Sequence, residues 1–192
     1  MRLIIMGIIA LTFATTSLLA DEKPTLTLKV TSRKDSYTID RGGKTAEEYA
    51  KLFETFLKGK GLGKVPPPVA IDLVVSIVND GKKPVTITIG ADNSEVLFNL
   101  QGPKVQYLRP LIATTREFRL GKPVTIEPGK SYDMPYTKLV DGFRNQSRNI
   151  YWLEAGDYTL SATYQMPAGD DDKKGPLLTA EKIELKVVEP KK

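Results

Sequence analysis

Apolar and polar residues alternate along short segments that recur through most of the 192-residue chain. The longest segment covers residues 69–78, where every second position is apolar and several of the positions between are apolar too. Period two is typical of a β-strand with one buried face, and the partly apolar second face indicates a central strand. About eight such segments, separated by turn residues, predict an all-β chain arranged as a β-sandwich.

Two turn signals lie within this pattern. Asn79, Asp80 and Gly81 follow the long segment, and they predict a hairpin turn between two paired strands. Residues 127–130 read Glu-Pro-Gly-Lys, which places proline and glycine at the two central positions of a second turn. Pro135 lies in the strand predicted after it. Because proline has no N–H, we expect that strand at an edge or an end of its sheet.

One segment departs from period two. Between residues 45 and 58 apolar side chains recur every three or four residues, which predicts an amphipathic helix inserted in the β-sandwich. Thr45 and Glu48 have the spacing of a capping box, in which each side chain binds the other residue's backbone N–H. We expect the apolar face to pack on the protein's own sheet; a groove for a partner is the alternative. The face consists of Tyr49, Leu52, Phe53, Phe56 and Leu57.

A run of three prolines at residues 66–68 follows the predicted helix. Three prolines cannot continue a helix or join a central strand, so they predict a stiff extended connector. The connector could separate two domains, but residues 21–67 contain too few apolar positions for a core of their own. We therefore expect residues 21–192 to form one domain, with residues 41–67 as a helical insertion.

The first twenty residues have the layout of a secretory signal peptide. Arg2 supplies a positive start, residues 3–13 are almost entirely apolar, and small residues lead to a cleavage site after Ala20. A membrane anchor is the alternative, but the apolar run is short for a span and no basic flank follows it. We expect residues 1–20 to be removed and the protein to be exported, periplasmic or extracellular, with no transmembrane span in the mature chain.

The residue types that are missing exclude several kinds of site. The chain contains no histidine and no cysteine, which excludes a Ser-His-Asp triad, a cysteine nucleophile and a histidine or thiolate metal site. Its net charge is +5, but the basic residues form no run, so we expect no nucleic-acid binding. The acidic run at residues 170–172 lacks the spacing of a known calcium loop. We predict no catalytic residue, no metal site and no cofactor.

The segment Gly156-Asp157-Tyr158-Thr159-Leu160 resembles the tyrosine corner of immunoglobulin-like domains. In that motif a tyrosine near the start of the penultimate strand lies two residues before a core position, and its hydroxyl binds upstream backbone. Tyr158 would be that tyrosine and Leu160 the core residue. The resemblance implies an immunoglobulin-like β-sandwich in which both residues have structural roles.

Three segments are similar to bacterial immunoglobulin-like proteins that include the intracellular proteinase inhibitor family. They are VNDGKKPVTI at residues 78–87, EPGKSY at residues 127–132 and WLEAGDYTL at residues 152–160. The last segment also resembles exported proteins of environmental bacteria that share a YW-x-E-x-G-x-Y-T-L pattern. These resemblances imply an immunoglobulin-like fold, and the first implies proteinase inhibition as an alternative function.

Tyr151 and Trp152 open an aromatic stretch that contains the only tryptophan of the chain. A tryptophan at the rim of a sandwich can stack on a sugar or a peptide, or it can cap the core. Arg144 and Arg148 precede it in a polar loop, either as part of a patch for an acidic partner or as separately solvated side chains. These four are the candidate partner-binding residues. The predicted function is a non-enzymatic exported binding module for an unidentified protein or glycan.

Overall fold

The structure, a computed structural model, describes residues 25–59, 66–91, 94–108, 120–142, 148–167 and 175–190. The predicted signal peptide at residues 1–20, Arg144 and the acidic run at residues 170–172 lie outside the described residues. Arg148 belongs to a described strand through its backbone only.

The described residues form thirteen β-strands and one α-helix, so the chain is mostly β, as predicted. The helix is α1 (Ala46–Lys58), at the predicted position. The strands are β1 (Leu26–Ser32), β2 (Tyr37–Thr38), β3 (Ala70–Asn79), β4 (Val85–Ile89), β5 (Glu95–Gln101), β6 (Val105–Leu108), β7 (Lys122–Ile126), β8 (Ser131–Lys138), β9 (Val140–Gly142), β10 (Arg148–Leu153), β11 (Gly156–Gln165), β12 (Leu177–Thr179) and β13 (Ile183–Val188).

Two larger sheets organise the fold. In the first, β3 lies between β1 and β8, and both pairs are antiparallel. In the second, β11 pairs with β5 along one edge and with β12 and then β13 along the other. The short β2 extends this sheet as a parallel neighbour of β13. A backbone bridge between Leu28 of β1 and Ala180 joins the margins of the two sheets.

A smaller antiparallel sheet places β10 between β6 and β9, and β4 pairs with β7 in a two-stranded ribbon. Among the described strands, β8 is the outermost member of its sheet, and Pro135 lies within it opposite Val74. The prediction from Pro135 is confirmed, because a residue without an N–H leaves no ladder bond unmade on the open side of an edge strand.

The two larger sheets share one hydrophobic core. Alternate residues of β3 and of β11 supply its centre, because side chains at every second position of a strand point to the same face. A large aliphatic side chain buried in this way contributes about 1.5–3 kcal/mol relative to an exposed one. The central residues are Leu73, Val75 and Ile77 of β3 and Tyr158, Leu160 and Ala162 of β11.

The turn after β3 does not form the predicted hairpin, because β3 pairs with β1 and β8 whereas β4 pairs with β7. The turn between β7 and β8 likewise joins strands that are not paired with each other. There Gly129 has a φ of +69°, and the Lys130 N–H donates to the Glu127 carbonyl at 3.0 Å. The paired strands β3 and β8 therefore continue around a corner as the paired strands β4 and β7.

Asn79 holds the two turns of this corner together and is completely buried. Its Nδ2 donates to the carbonyls of Lys83 and Ile126, both at 2.8 Å, and its Oδ1 accepts from the Gly81 N–H at 3.0 Å. Its backbone N–H and carbonyl also bind the turn at residues 127–130. The asparagine that signals a turn in the sequence thus clamps two chain segments at the corner.

Candidate functional site

A groove runs between α1 and the sheet that contains β6 and β10, and we call it the helix groove. Its volume is about 570 Å³, which lies within the usual range for ligand-binding clefts. The buried side chains of Phe53 and Trp152 line it. The helical wall includes Ala46, Glu47, Tyr49, Ala50, Glu54 and Leu57. The facing wall includes Ile39, Arg41, Lys104, Gln106, Leu153 and Glu154.

The helical wall begins at a capping box. The Thr45 Oγ1 accepts from the Glu48 N–H at 3.2 Å, and the Glu48 Oε2 accepts from the Thr45 N–H at 2.9 Å. Glu47 and Glu48 also place negative charge in the first turn, where the helix dipole favours it. An N-cap of this kind contributes about 1 kcal/mol to helix stability, so it stabilises the helical wall at the residue where the wall begins.

Trp152 lies against α1 and is 3% exposed. Its indole ring packs edge-on against Phe53 and Phe56, with ring centroids 5.0 and 5.7 Å apart. Its Nε1–H donates to the Pro66 carbonyl at 2.9 Å, which satisfies the one polar atom of the buried indole. Trp152 therefore anchors the helix on β10, and a ring in this position offers no open face for stacking on a sugar.

The proline run supplies acceptors to the same anchor. The Tyr49 hydroxyl donates to the Pro67 carbonyl at 2.8 Å, next to the bond between Trp152 and Pro66. Burial of the phenol raises the pKa of Tyr49 to about 12, so this hydroxyl remains a donor throughout the neutral range. Prolines lack an N–H but keep a carbonyl, and these two carbonyls connect the segment to both α1 and β10.

Two ion pairs lie on the rim of the helix groove. Arg41 Nη2 binds both carboxylate oxygens of Glu189, at 2.6 and 2.8 Å. Lys104 Nζ binds the Glu154 carboxylate at 2.7 Å, and this hydrogen bond, together with the charge of Glu154, raises the pKa of Lys104. The other ionisable groups in the described lining, apart from Tyr49, are carboxylates of α1. The described rim therefore carries more negative than positive charge.

Tyr151 points away from the helix groove, because successive residues of a strand face opposite sides. It is 7% exposed, and its hydroxyl donates to Asp141 Oδ2 at 2.8 Å. The same oxygen accepts from the Phe98 N–H, and Asp141 Oδ1 accepts from the Asn149 side-chain amide, each at 2.6 Å. Asp141 thereby connects β5, β9 and β10.

Sequence patterns do not single out Asp141, because they place it at the start of a polar loop. In the structure it is 3% exposed. Desolvation by this burial raises the pKa of Asp141, although the hydrogen bonds that it accepts oppose the shift. Its apolar neighbours Leu139 and Val140 are the one signal in the sequence that could have indicated a buried position.

Tyr158 binds backbone upstream of its own strand. Its hydroxyl donates to the Glu154 carbonyl at 2.8 Å, with the Lys104 carbonyl at 3.2 Å as a second acceptor. A Cβ atom at Gly102 would lie 2.1 Å from the Tyr158 ring, so only glycine leaves room for that ring. Leu160, two residues further on, is completely buried. This arrangement has the geometry of a tyrosine corner.

A second, smaller cavity of about 210 Å³ lies beside Asp141. Tyr164 lines it and is 2% exposed, and its hydroxyl has no hydrogen-bond partner in the part of the chain that the structure describes. The Ser94 hydroxyl lines the same cavity but donates to the Ala91 carbonyl at 3.0 Å. Burial raises the pKa of Tyr164 and the nearby Ser94 hydroxyl opposes that rise, whereas a buried hydroxyl left wholly unpaired would cost about 1–3 kcal/mol.

The candidate partner-binding residues are distributed over different parts of the structure. Trp152 lines the helix groove, whereas Tyr151 faces the opposite side of β10. Arg148 begins β10 opposite Gly142, and Arg144 lies outside the described residues. The sequence does not predict the groove, because its walls come from segments that are far apart in the chain. The apolar face of α1 is the one part of the groove that a sequence pattern indicates.

Within the described ranges, no group of three or more carboxylates is placed to hold a metal ion. The helical structure in those ranges includes no segment that is long and apolar enough to cross a bilayer. In comparisons with known proteins, no protein-family model, no curated protein and no solved structure matches the chain.

Proposed function

We propose that this protein is an exported, non-enzymatic binding module with an immunoglobulin-like fold, and that the helix groove binds a segment of a partner protein. The observation that carries the proposal is an open, largely apolar groove between two walls that are held in place. Trp152 and the proline carbonyls hold α1, and paired strands form part of the facing wall. A site whose walls are ordered before binding loses little conformational entropy when a partner enters.

Apolar side chains that stay exposed on α1 support this role. Leu57 is 39% exposed, although it belongs to the apolar face of the helix. Ala46 and Ala50 are also exposed and lie on the same side, since residues three or four apart are neighbours on a helix. Exposed apolar surface with a polar rim is typical of protein interaction sites. The groove therefore offers a partner the apolar surface that the rest of this protein leaves uncovered.

The strand pairing supports the immunoglobulin-like part of the proposal. Immunoglobulin domains pair strands A, B and E in one sheet and strands C, F and G in the other. Here β1, β3 and β8 form one sheet, and β5, β11 and β13 form the other. The hydrogen bond between Tyr158 and the Glu154 carbonyl lies at the start of β11, the equivalent of strand F.

The sequence supports the remaining parts of the proposal. It lacks histidine and cysteine, which supply many of the bases and nucleophiles of enzymes, and its first twenty residues have the layout of a signal peptide. N-terminal sequencing of the protein from producing cells tests export. A mature chain that begins at Asp21 is expected, and a chain that keeps residues 1–20 in the cytosol would argue against export.

Filling the groove tests the binding role. Ala50→Trp places a large side chain between the walls, whereas Lys51→Trp places the same side chain outside the groove lining. With wild-type protein immobilised against an envelope extract, we expect partners whose retention falls at least tenfold with Ala50→Trp and not with Lys51→Trp. Equal retention by all three proteins would refute the groove as the binding site. A glycan array probed with the same proteins shows whether the groove takes a sugar instead.

Proteinase inhibition, the alternative function, rests on the family resemblance alone. A panel of serine, cysteine and metallo-proteinases tests it directly. Inhibition at micromolar protein that survives Ala50→Trp would favour this alternative over binding through the groove.

A further inference from the structure

We infer that the partner segment in the helix groove is a short extended peptide with basic residues on both sides of large aliphatic residues. The inference rests on the proposed function, because it assigns the chemistry of the partner for the same groove. Three properties of the groove lead to it, namely the charge of its rim, the spacing of two carboxylates and the shape of the surface between them.

The cations of the described rim are already engaged. Arg41 is paired with Glu189, and Lys104 is paired with Glu154, so neither is free to bind an acidic partner without losing a bond of 2.6–2.8 Å. The chain as a whole carries a net charge of +5, so an acidic rim is a local property and not an average of the surface. Opposite charge across an interface favours correct partners and suppresses wrong ones.

Two carboxylates of α1 remain for a partner. Glu47 has no ion pair within the described residues, and Glu54 is paired only with Lys58, at 3.4 Å between two well-exposed side chains. An exposed pair of this kind contributes little to stability, so Glu54 can exchange its partner. The two glutamates are seven residues apart, which is two helical turns and about 10 Å along the axis. Basic groups about 10 Å apart would match them.

The helix surface between these carboxylates is apolar, and the side chain at its centre is small. Ala50 lies between them on the helix, and Phe53 and Leu57 continue the same face. A small side chain at position 50 leaves space for the aliphatic groups of a partner. A peptide in the extended polyproline II conformation has three residues per turn and advances about 3.1 Å per residue, so basic residues three positions apart lie on the same side and span about 9 Å. Two aliphatic residues then fall between the basic ones and meet the apolar surface.

Labelled synthetic peptides test this assignment by fluorescence anisotropy. The probe carries two lysines separated by two leucines and is blocked at both ends. Matched probes carry glutamine or glutamate in place of lysine. The proteins are the wild type, the double variant Glu47→Gln with Glu54→Gln, the groove-filling Ala50→Trp and, as a charge control outside the groove, Glu181→Gln. Circular dichroism of each protein verifies that α1 is retained.

We expect the lysine probe to bind the wild type at least tenfold more tightly than the glutamine probe, and the glutamate probe to bind least. The double variant should lose this preference, Glu181→Gln should keep it, and Ala50→Trp should abolish binding of every probe. Equal binding of lysine and glutamine probes, with loss in Ala50→Trp, would overturn the basic partner and leave the groove as a binding site. Binding that is unaffected by Ala50→Trp would overturn both proposals.

Discussion

Three tyrosines of β10 and β11 bury their hydroxyl groups, and each hydroxyl has a different environment. Tyr151 donates to the Asp141 carboxylate, and Tyr158 donates to the Glu154 carbonyl. The Tyr164 hydroxyl makes no close hydrogen bond within the described part of the chain. A buried polar group costs free energy only when its hydrogen bonds to water are not replaced by hydrogen bonds within the protein. Removal of the hydroxyl oxygen should therefore change stability differently at the three tyrosines.

Phenylalanine substitutions measure this difference. Tyr158→Phe removes the bond to the Glu154 carbonyl, and we expect the free energy of unfolding to fall by about 1 kcal/mol. Tyr164→Phe removes an oxygen that has no partner, so the free energy of unfolding should stay the same or rise by up to about 1 kcal/mol. Urea denaturation followed by circular dichroism measures both values. Equal losses in the two variants would show that the Tyr164 hydroxyl is bonded.

The raised pKa of Asp141 makes stability depend on pH. The folded protein holds this proton more tightly than the unfolded chain does. The carboxyl therefore stabilises the fold fully below its unfolded pKa, and this contribution is lost as the pH rises through the folded pKa. Asp141→Asn removes the titrating carboxyl and places an amide N–H2 group opposite N–H and O–H groups that also donate. The substitution should therefore lower the free energy of unfolding by about 2 kcal/mol at neutral pH.

The difference between wild type and Asp141→Asn should be larger near pH 4 than at pH 7, because only the wild type gains stability as the carboxyl takes up its proton. Urea denaturation across this range gives the difference at each pH. A constant difference would mean that the Asp141 pKa is the same in the folded and the unfolded protein.

At the scale of elements, α1 depends on one aromatic anchor. The helix itself could be predicted, because its capping box and apolar face are local patterns of Thr45, Glu48 and the residues that follow them. Its contact could not, because Trp152 is distant in sequence and no local pattern shows which two segments meet. The proline run gave a stiff connector, but the bonds that its carbonyls accept from Tyr49 and Trp152 depend on tertiary placement.

Phe53→Ala tests the anchor through the single tryptophan. Loss of the ring that packs 5.0 Å from the indole centroid should let water reach Trp152 and shift its fluorescence emission to longer wavelength. The strand signal in circular dichroism should persist, since Phe53 belongs to the small cluster with Phe56 and Trp152 and not to the main core. Lys51→Ala, on the exposed side of the helix, should leave the emission unchanged. An unshifted spectrum for Phe53→Ala would contradict the anchoring role.

The corner at which β3 and β8 continue as β4 and β7 depends on Asn79. Asn79→Ala leaves the carbonyls of Lys83 and Ile126 without their donor, and we expect the free energy of unfolding to fall by about 2–4 kcal/mol. Asn79→Asp keeps the acceptor for the Gly81 N–H but sets a carboxylate against two carbonyl oxygens, so its loss should be at least as large. Chemical denaturation of both variants provides the measurement. A smaller loss for Asn79→Asp than for Asn79→Ala would show that the bonds donated by Nδ2 contribute little.

The same corner shows why one pairing prediction is wrong. Asn79 to Gly81 and the Pro-Gly pair at residues 128–129 report that the chain turns, which is a local property of φ and of side-chain bonding. The pairing of the strands on either side is set by which sheets bury their apolar faces against each other. A local signal therefore predicted both turns and did not identify the partners of β3 and β4.

At the scale of the whole molecule, the core draws on nearly the full described length, from Leu28 in β1 to Val187 in β13. β1 pairs along its whole length with β3, and β2 pairs with β13. The segment before the proline run is therefore part of both sheets. That residues 21–67 cannot supply a core alone stays a prediction from the sequence.

A fragment that comprises residues 66–192 tests this dependence. It lacks β1 and β2, so β3 loses a neighbour and the core loses Leu28 and Val30. We expect no cooperative thermal transition and poor dispersion of amide signals in NMR, whereas residues 21–192 should unfold in one transition. A cooperative transition in the fragment would show that the proline run separates two independent domains.

The candidate site was less predictable than the fold for a related reason. Strands and helices follow from periodicity within ten or fifteen residues, but the helix groove joins α1, the end of β2, β6 and the end of β10. Its rim pairs Arg41 with Glu189 and Lys104 with Glu154 across long stretches of sequence. Of the four candidate partner-binding residues, Trp152 is the one that belongs to the described lining of the groove, and it does so as a buried support.

The clamp at Asn79 also limits how the protein can be engineered. Its amide reaches Lys83 and Ile126 together only while both turns of the corner keep their present lengths. An extra residue in one turn would carry one acceptor out of reach and shift the register of β4 against β7, unless the other turn were lengthened to match. These two turns are conspicuous on the sequence as insertion points for a grafted epitope. They are nevertheless poor places to graft one, because a change in the length of either turn would break the hydrogen bonds of Asn79 that join it to the other.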